Sequence, residues 1–433
     1  MARGYIVTGL DIGTNTIKVL VAQKKGSEWE MLASSQVPSF GLRRGAVVHT
    51  DETAKNIQLL ISGVERDYNI RINSVFVNIG GSHLYVTPSD GIISVSRADQ
   101  RISEEDVDRV LQATKSINIP SNEEILDVFP KEFIIDNQRG IKQPLGLTGI
   151  RLEAKVILLC YFQSYFINLT TAVLNAKLQI NDIVPSPLAA AEAVLTPQQK
   201  ELGVALIDMG SDTTSLAVYE EGDLIHLAVF PLGGANITKD IAIGLKTEFN
   251  IAEDIKKQYG SCILAKNGKA SVSVPLAHKT LVSQIKNQST AKVLSKQMKV
   301  ESTDESSSLT FTDKNLVDII EPRVSEILDL IQKELKKIGR QELLPGGVVL
   351  TGGGAKLSKI KELVKQKLKL TCEIGLIKGI VGVNQDSALA TVAGLVLSGT
   401  DSGESVSDGI LGFMGWFKKI FSQTTKMFKV FIP

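Results

Sequence analysis

The chain has 433 residues, 43% of them hydrophobic and 5% aromatic, with 48 Lys and Arg against 47 Asp and Glu for a net charge of +1. That length supports two or more domains with sizeable cores, and the balanced charge provides no global field for nucleic acid. Cys160, Cys262 and Cys372 lie far apart without a CxxC pair, and His49, His83, His226 and His278 are equally scattered, which argues against a disulfide scaffold or zinc site and for a reducing compartment. No signal peptide precedes the first strand, and the longest apolar run, "ALATVAGLVL", is too short to cross a bilayer. A cytosolic protein is expected.

Taken in chain order, the first element is "YIVTGLDIGTNTIKVLVAQ". It reads as an apolar strand, an Asp-x-Gly turn with small polar residues and a second alternating strand, together a hairpin. Next, "ISEEDVDRVLQA" reads as a surface helix whose Ser103 caps the first turn with Asp106 three residues on. The hairpin then recurs in "GVALIDMGSDTTSLAVYEEG": Asp11 matches Asp208, Gly13 matches Gly210, Thr16 matches Thr213 and Val21 matches Val218. One such turn is commonplace, but two in matching register point to a duplicated unit.

These turns suit phosphate, because glycine lets the backbone approach closely and successive N–H groups with Ser or Thr hydroxyls can face the oxygens. A carboxylate beside a phosphate repels it, so Asp11 and Asp208 make sense with a hydrated Mg2+ between them and the ligand. A third cluster, "GGVVLTGGGAKLSKIKELVKQ", reads as a strand, a Gly352-Gly353-Gly354 loop and an amphipathic helix whose N-terminus faces a nucleotide; it lacks the P-loop spacing. "NQSTAKVLSKQMKVESTDESSS" reads as a loop.

After a Ser/Gly/acid tether, "SGTDSGESVSDG", the chain ends with "FMGWFKKIFSQTTKMFKVF". At helical spacing, Phe413, Trp416, Phe417, Ile420, Phe421 and Phe428 form an apolar stripe, while Lys418 and Lys419 supply positive charge without any acidic residue. A helix packed on its own domain is the alternative; the tether and the purely basic charge favour a membrane surface with anionic lipids. Each large apolar side chain contributes roughly 1.5–3 kcal/mol on burial and each lysine near an anionic leaflet about 1 kcal/mol. Ordering the tail costs roughly 1–2 kcal/mol per residue. The attachment is therefore modest and gains from self-association, which links several tails.

With these motifs the chain resembles the actin, Hsp70 and sugar-kinase superfamily and, more narrowly, the FtsA family of bacterial cell-division actin homologues. The likeness also runs through "INIPSNEEILDVFPKEFIID", "LTGIRLEAKV", "VPSPLAAAEAVL", "PLGGANITKDIAIGL" and "IIEPRV", almost the whole length. It implies an α/β, actin-like fold: two RNase H-like domains around a nucleotide cleft, an FtsA-type inserted subdomain and a C-terminal amphipathic helix. The implied organisation is a first core from residues 1–85 with 154–198, the insert at 86–153, and a second core from 199–230 with 313–397. Its smaller subdomain spans 231–312, followed by a linker at 398–408 and the membrane helix at 409–433.

The resemblance further implies ATP with Mg2+ held by Asp11 and Asp208. Gly13, Thr14, Asn15, Thr16 and Lys18 flank the phosphates on one side, Gly210, Ser211 and Thr213 on the other; alternation along the hairpin leaves Lys18 a second option, facing solvent. Gly233, Gly234 and Asn236 lie near the ribose and phosphates. Glu253, Lys256 and Lys257 border the sugar and base, with Gly353, Gly354 and Lys356 opposite; a solvated helix face is the alternative for the two lysines of "AEDIKKQYG". The implied partners are the C-terminal peptide of the division tubulin FtsZ, contacted by Lys314, Asn315 and Arg323, further copies in a filament, anionic lipids and other divisome proteins, at the cytoplasmic face of the division septum. For Arg323 a structural salt bridge is an equal reading.

Two departures bear on chemistry. Asp212 stands in the second turn where the family pattern has bare backbone, and Ser186 stands before Pro187 where related ATPases carry a glutamate that orients water. Without that group hydrolysis loses roughly 10²–10⁴-fold, so ATP binding with at most slow turnover is expected. The competing readings are an adaptor like PilM of type IV pili, a family without the basic tail, and a sugar or acetate kinase, for which no substrate base stands out.

Overall fold

The computed structural model describes residues 5–26, 28–264, 271–275 and 308–400. The tail residues Phe413, Trp416, Phe417, Lys418, Lys419, Ile420, Phe421 and Phe428 lie outside the described residues, as does most of the loop expected at residues 287–308. Among the described residues the chain divides into two compact units, the smaller comprising Ile237–Val324 with Leu357–Lys359.

In the larger unit, strands β1 (Ile6–Ile12), β2 (Thr16–Lys25) and β3 (Glu28–Pro38) form a meander, followed by a short hairpin of β4 (Leu42–Arg43) and β5 (Ala46–Val47). Helix α1 (Thr50–Tyr68) and strand β6 (Ser74–Ile79) come next. An inserted layer contains β7 (Tyr85–Ser94), α2 (Glu104–Thr114), β8 (Glu123–Ile135), β9 (Gln138–Ile141) and β10 (Arg151–Phe162). The chain returns through α3 (Gln163–Asn175), β11 (Gln179–Pro185), α4 (Ser186–Val194) and α5 (Pro197–Leu202) to a second meander, β12 (Val204–Met209), β13 (Thr214–Glu220) and β14 (Asp223–Phe230). Helices α6 (Gly234–Gly244) and α7 (Phe249–Tyr259), the ribbon β15 (Ser271–Pro275) and β16 (Ser308–Thr312), and the long helix α8 (Asp313–Lys337) follow. The last elements are β17 (Val348–Thr351), α9 (Ile360–Leu368), β18 (Cys372–Ile374), β19 (Ile380–Val381) and α10 (Ala390–Thr400).

The duplication seen in the sequence is a duplication of sheets. The first runs β11-β6-β1-β2-β3-β19 and the second β18-β17-β12-β13-β14, which continues into the insert as β7-β10-β8-β9. In both, the first strand pairs antiparallel with the second and parallel with the strand on its other side. The hairpin registers coincide as well: Asp11 faces Lys18, and Asp208 faces Ser215.

The apolar run noted in the sequence becomes α10, buried on several sides as expected for a helix without a polar stripe. It fits because small residues meet it. A Cβ on Gly9 of β1 would come within 2.7 Å of the Val392 carbonyl, and a Cβ on Gly394 would overlap the Ala189 carbonyl of α4 at 1.6 Å. Ala189, Ala190, Ala191 and Ala193 are all buried in the same core. Each methyl added at this crossing would therefore force the helices apart.

The insert has its own core around Val107, Val110, Leu111, Phe133, Leu152 and Leu158. Its helix α2 carries the anticipated capping box, Ser103 Oγ accepting from Asp106 N and the Asp106 carboxylate accepting from Ser103 N at 3.0 Å. Burial alone would raise the Asp106 pKa, but hydrogen bonds from Ser103 and Ser96 outweigh it and hold the carboxyl at about 2. The cap thus ties the helix start to the end of β7 as well as to itself.

His83 follows β6 and is 6% exposed, its ring 4.7 Å from that of Tyr165. Its Nε2 is buried without a hydrogen-bond partner, and beside it lies a cavity of about 10 Å³ lined by Ile12, Asn78, Gly80 and Leu169, room for one water. Burial pushes the His83 pKa down to about 4. The folded state therefore binds a proton less readily than the unfolded chain, and stability present above about pH 6.5 is lost as pH falls toward 4, by about 3 kcal/mol in all. Denaturant titrations between pH 7 and 4.5 should show that loss in the parent protein and a shallower one in His83→Phe; parallel curves would mean that His83 charges freely in the fold.

Candidate functional site

The two Asp-x-Gly turns are built alike. Gly13 N donates to Thr16 O at 3.2 Å and Gly210 N donates to Thr213 O at 2.9 Å, closing each turn at the same position. Both turns are tight at glycine: a Cβ would lie 2.9 Å from Thr16 O in the first, where something must shift, and 3.1 Å from Thr213 O in the second. Thr14, Thr16, Ser211 and Thr213 are half-buried and Asn15 is exposed, so small polar side chains line both turns.

Lys18 does not turn to solvent. Cross-strand partners share a face of the sheet, and Lys18 Nζ lies 2.9 Å from Asp11 Oδ2, with both side chains largely buried. The second hairpin has Ser215 at that position, so Asp208 has no lysine opposite it. Loss of solvent and then the charge of Asp11 raise the Asp208 pKa to about 6, against the pull of Lys18. Asp11 thus lies close enough to repel Asp208 electrostatically. Two hard carboxylates held this way fit a hydrated Mg2+, which commonly takes one or two protein carboxylates and fills its other positions with water and phosphate. Among the described residues no cluster of three or more His, Cys, Asp or Glu side chains forms a metal cage.

The glycine loop packs on the second turn. Gly352 has φ +81°, and a Cβ there would come within 2.4 Å of Met209 O and 2.5 Å of Asp208 Oδ1; Gly354 is closed off by the Met209 side chain. Gly353 is exposed with open space at its Cβ position, so a ligand can approach the backbone there. The loop runs into a single 3-10 turn, Gly353–Lys356, and the amphipathic helix α9 begins only at Ile360, so the expected direct loop-to-helix step is not present. Lys356 Nζ is 2.6 Å from Asp386. Burial would raise the Asp386 pKa, but Lys356 and the Ala388 N–H bring it below the usual carboxylate range, and Lys18 contributes in the same direction.

Gly233, Gly234 and Asn236 are in place against the second turn. Gly234 N and Ala235 N donate to Gly210 O and Ser211 O at 2.9 and 2.8 Å, and Asn236 Oδ1 accepts from Gly233 N at 3.0 Å. These N–H groups support the turn itself. In the smaller unit Glu253 accepts from Thr238 Oγ1 at 2.5 Å and from Lys256 Nζ at 2.6 Å, and Lys257 is exposed 3.4 Å from the same carboxylate. Arg323 forms a two-pronged pair with Asp240 at 2.6 and 3.0 Å. Asn315 closes a capping box at the start of α8, its Oδ1 accepting from Thr312 N at 3.1 Å, while Lys314 is exposed.

Sequence reasoning passed over three residues. Asn78, 5% exposed, accepts from Ile12 N at 2.7 Å and donates to Ser186 Oγ at 3.0 Å; its signal was a lone amide in the apolar strand "SVFVNIGG". Asp386 caps the short turn whose Ser387 exchanges hydrogen bonds with Gly352, and the cap-like pair Asp386-Ser387 before an apolar run was readable. Arg44 donates its N–H to Asp212, which no local pattern indicates.

A duplicated β-meander sheet carrying paired turns, with an inserted layer, defines an actin-like protein. Over 91% of this chain and 98% of the other, the fold matches a chain of the PilM-PilN type IV pilus biogenesis complex with TM-score 0.61 at 19% identity. It matches MreB5 of Spiroplasma citri bound to ADP with TM-score 0.51 at 13% identity, over 90% and 94% of the two chains. Residues 205–394 match the family described as cell division protein FtsA, and residues 81–160 match the SHS2 domain inserted in FtsA. Cell division protein FtsA of Pseudomonas aeruginosa is 33% identical over 94% of this chain and 91% of its own, and that of Bacillus subtilis is 33% identical over 92% and 84%. The chain belongs to the FtsA family of cell division proteins.

Gly352→Ala should destabilise the protein by roughly 1–3 kcal/mol, since its φ and its contacts with the second turn both oppose a side chain. Gly353→Ala, with free space around it, should stay within about 0.5 kcal/mol. Chemical denaturation of the two variants checks this contrast; equal losses would mean that the loop does not rest on Asp208.

Proposed function

We propose that this protein binds ATP with Mg2+ between its two Asp-x-Gly turns and polymerises as a scaffold that tethers FtsZ to the cytoplasmic membrane at the division site. The observation that carries the reading is the duplicated turn, closed by the same Gly-to-Thr hydrogen bond twice, with a repelled carboxylate pair beside it. Asp11 and Asp208 would hold the metal ion and its waters; the bound ion would neutralise the triphosphate. The N–H groups and hydroxyls of Gly13, Thr14, Asn15 and Thr16 and of Gly210, Ser211 and Thr213 would hold phosphate oxygens. Gly353 offers backbone for close approach and Lys356 positive charge. Glu253, Lys256 and Lys257 would border the sugar and base.

Hydrolysis on this reading is slow. Ser186 Oγ accepts from Asn78 Nδ2 at 3.0 Å and donates to Ile79 O at 3.1 Å, so its only proton is already committed. It supplies neither a carboxylate nor a free donor to a water. Calorimetry should record MgATP binding that Asp208→Ala weakens at least about tenfold, while phosphate release by the parent protein stays well below one per second. Turnover of several per second would refute the slow-hydrolysis part, and absence of heat the ATP part.

No helix among the described residues is long and apolar enough to cross a membrane. On this reading, attachment is by the amphipathic segment Phe413–Phe428 with Lys418 and Lys419, on lipids of negative charge. For FtsZ, the exposed Lys314 at the start of α8 and Arg323 just before its middle are the groups offered to an acidic C-terminal peptide, with Arg323 already sharing its charge with Asp240. Co-sedimentation with anionic vesicles in MgATP tests the tether: the full chain should pellet and a chain ending at Ser407 should remain in solution. Equal pelleting of both would reject it.

A further inference from the structure

Asp212 puts a negative charge in a turn proposed to hold a triphosphate. Left alone, a turn aspartate tends to bond the nearby backbone N–H groups, which are the donors a phosphate needs. In this structure its Oδ2 accepts instead from Arg44 N at 3.4 Å. Arg44 forms the tip of the β4–β5 hairpin, far away in sequence.

That hairpin is held by backbone contact. Gly45 has φ +80°, and a Cβ on it would lie 2.7 Å from Gly81 Cα and 2.8 Å from Gly81 N. Gly81 has φ +115°, and its own Cβ position is 3.0 Å from Arg44 O. Arg44 and Gly45 both have positive φ, +50° and +80°, the backbone geometry of a tight two-residue hairpin turn. Gly81 follows β6, the strand whose Asn78 accepts from Ile12 N beside the first turn. The hairpin tip is therefore fixed to the first turn's strand layer and offers its N–H to the extra carboxylate of the second.

We propose that the β4–β5 hairpin is a clasp that sets nucleotide affinity: by occupying the Asp212 carboxylate at the Arg44 N–H, it keeps that charge off the phosphate-binding N–H groups of the second turn. This rests on the ATP reading above. It also accounts for an acidic residue at a position where the family pattern has bare backbone.

The test compares the parent protein with Gly45→Ala, Asp212→Gly and the double variant, reading MgATP affinity by calorimetry and exchange of the Arg44 amide without nucleotide. Gly45→Ala, which pushes the hairpin off Gly81, should weaken MgATP about tenfold in the parent and less than about twofold in the Asp212→Gly background. Asp212→Gly alone should bind MgATP at least as tightly as the parent and speed Arg44 amide exchange at least about tenfold. Equal weakening by Gly45→Ala in both backgrounds, or unchanged Arg44 exchange in Asp212→Gly, overturns the clasp. Should Gly45→Ala fail to fold, Asp212→Gly decides by its exchange and affinity. If the parent binds no MgATP, the ATP reading fails, and the exchange comparison still decides the contact.

Discussion

Two carboxylates at matching positions of two hairpins, only one of them paired with a lysine, create the constraint on which the site depends. Lys18 is bonded to Asp11, and Asp208 faces a serine, so the second charge is only partly compensated and its carboxyl is pushed up to about 6. A low-dielectric site amplifies such repulsion. Backbone packs closely on one of the two: a Cβ on Gly352 would come within 2.5 Å of the Asp208 carboxylate and 2.4 Å of Met209 O. On the proposed reading, a divalent cation would offset this repulsion on binding.

The same backbone economy runs through the larger unit. Gly9 and Gly394 let α10 lie against β1 and α4 at distances that exclude even a methyl group. Those contacts fix β1, which ends in the first turn, and α4, which begins with Ser186. Close packing thus transmits directly to the chemistry, since interiors packed to this density do not deform gradually. The longest apolar run of the sequence, too short to cross a bilayer, is the centre of this packing.

What was legible in the sequence was local. Strand, Asp-x-Gly turn and strand share one short window, so both hairpins and their register were readable, as was the Ser103–Asp106 cap. The repeat pointed to a duplicated unit, and the family resemblance supplied the larger pattern of two like sheets. What escaped were partners distant in the chain: Asn78 with Ile12 and Ser186, Asp386 with Lys356, Arg44 with Asp212. No periodicity encodes such pairs, because each is set by how separate strands end beside one another. The glycine loop was read as leading straight into a helix, yet positive φ at Gly352 and the bonds to Ser387 redirect the chain through a 3-10 turn first. Pairing among charged side chains was likewise not readable: Glu253 and Lys256, named by resemblance as ligand neighbours, also bond to each other.

On the proposed reading, the chemistry of Ser186 and the charge of Asp208 act together. A triphosphate site that attracts Mg2+ strongly but does not prepare a water keeps its ligand intact for long periods. Bound ATP then contributes to the stability of the loaded form by mass action, growing with the logarithm of nucleotide concentration. A protein of this kind behaves as a structural element whose assembly follows nucleotide occupancy, not as a timer driven by hydrolysis. Modest membrane affinity per tail fits that behaviour, because an array of loaded subunits multiplies weak attachments while any single subunit can still leave.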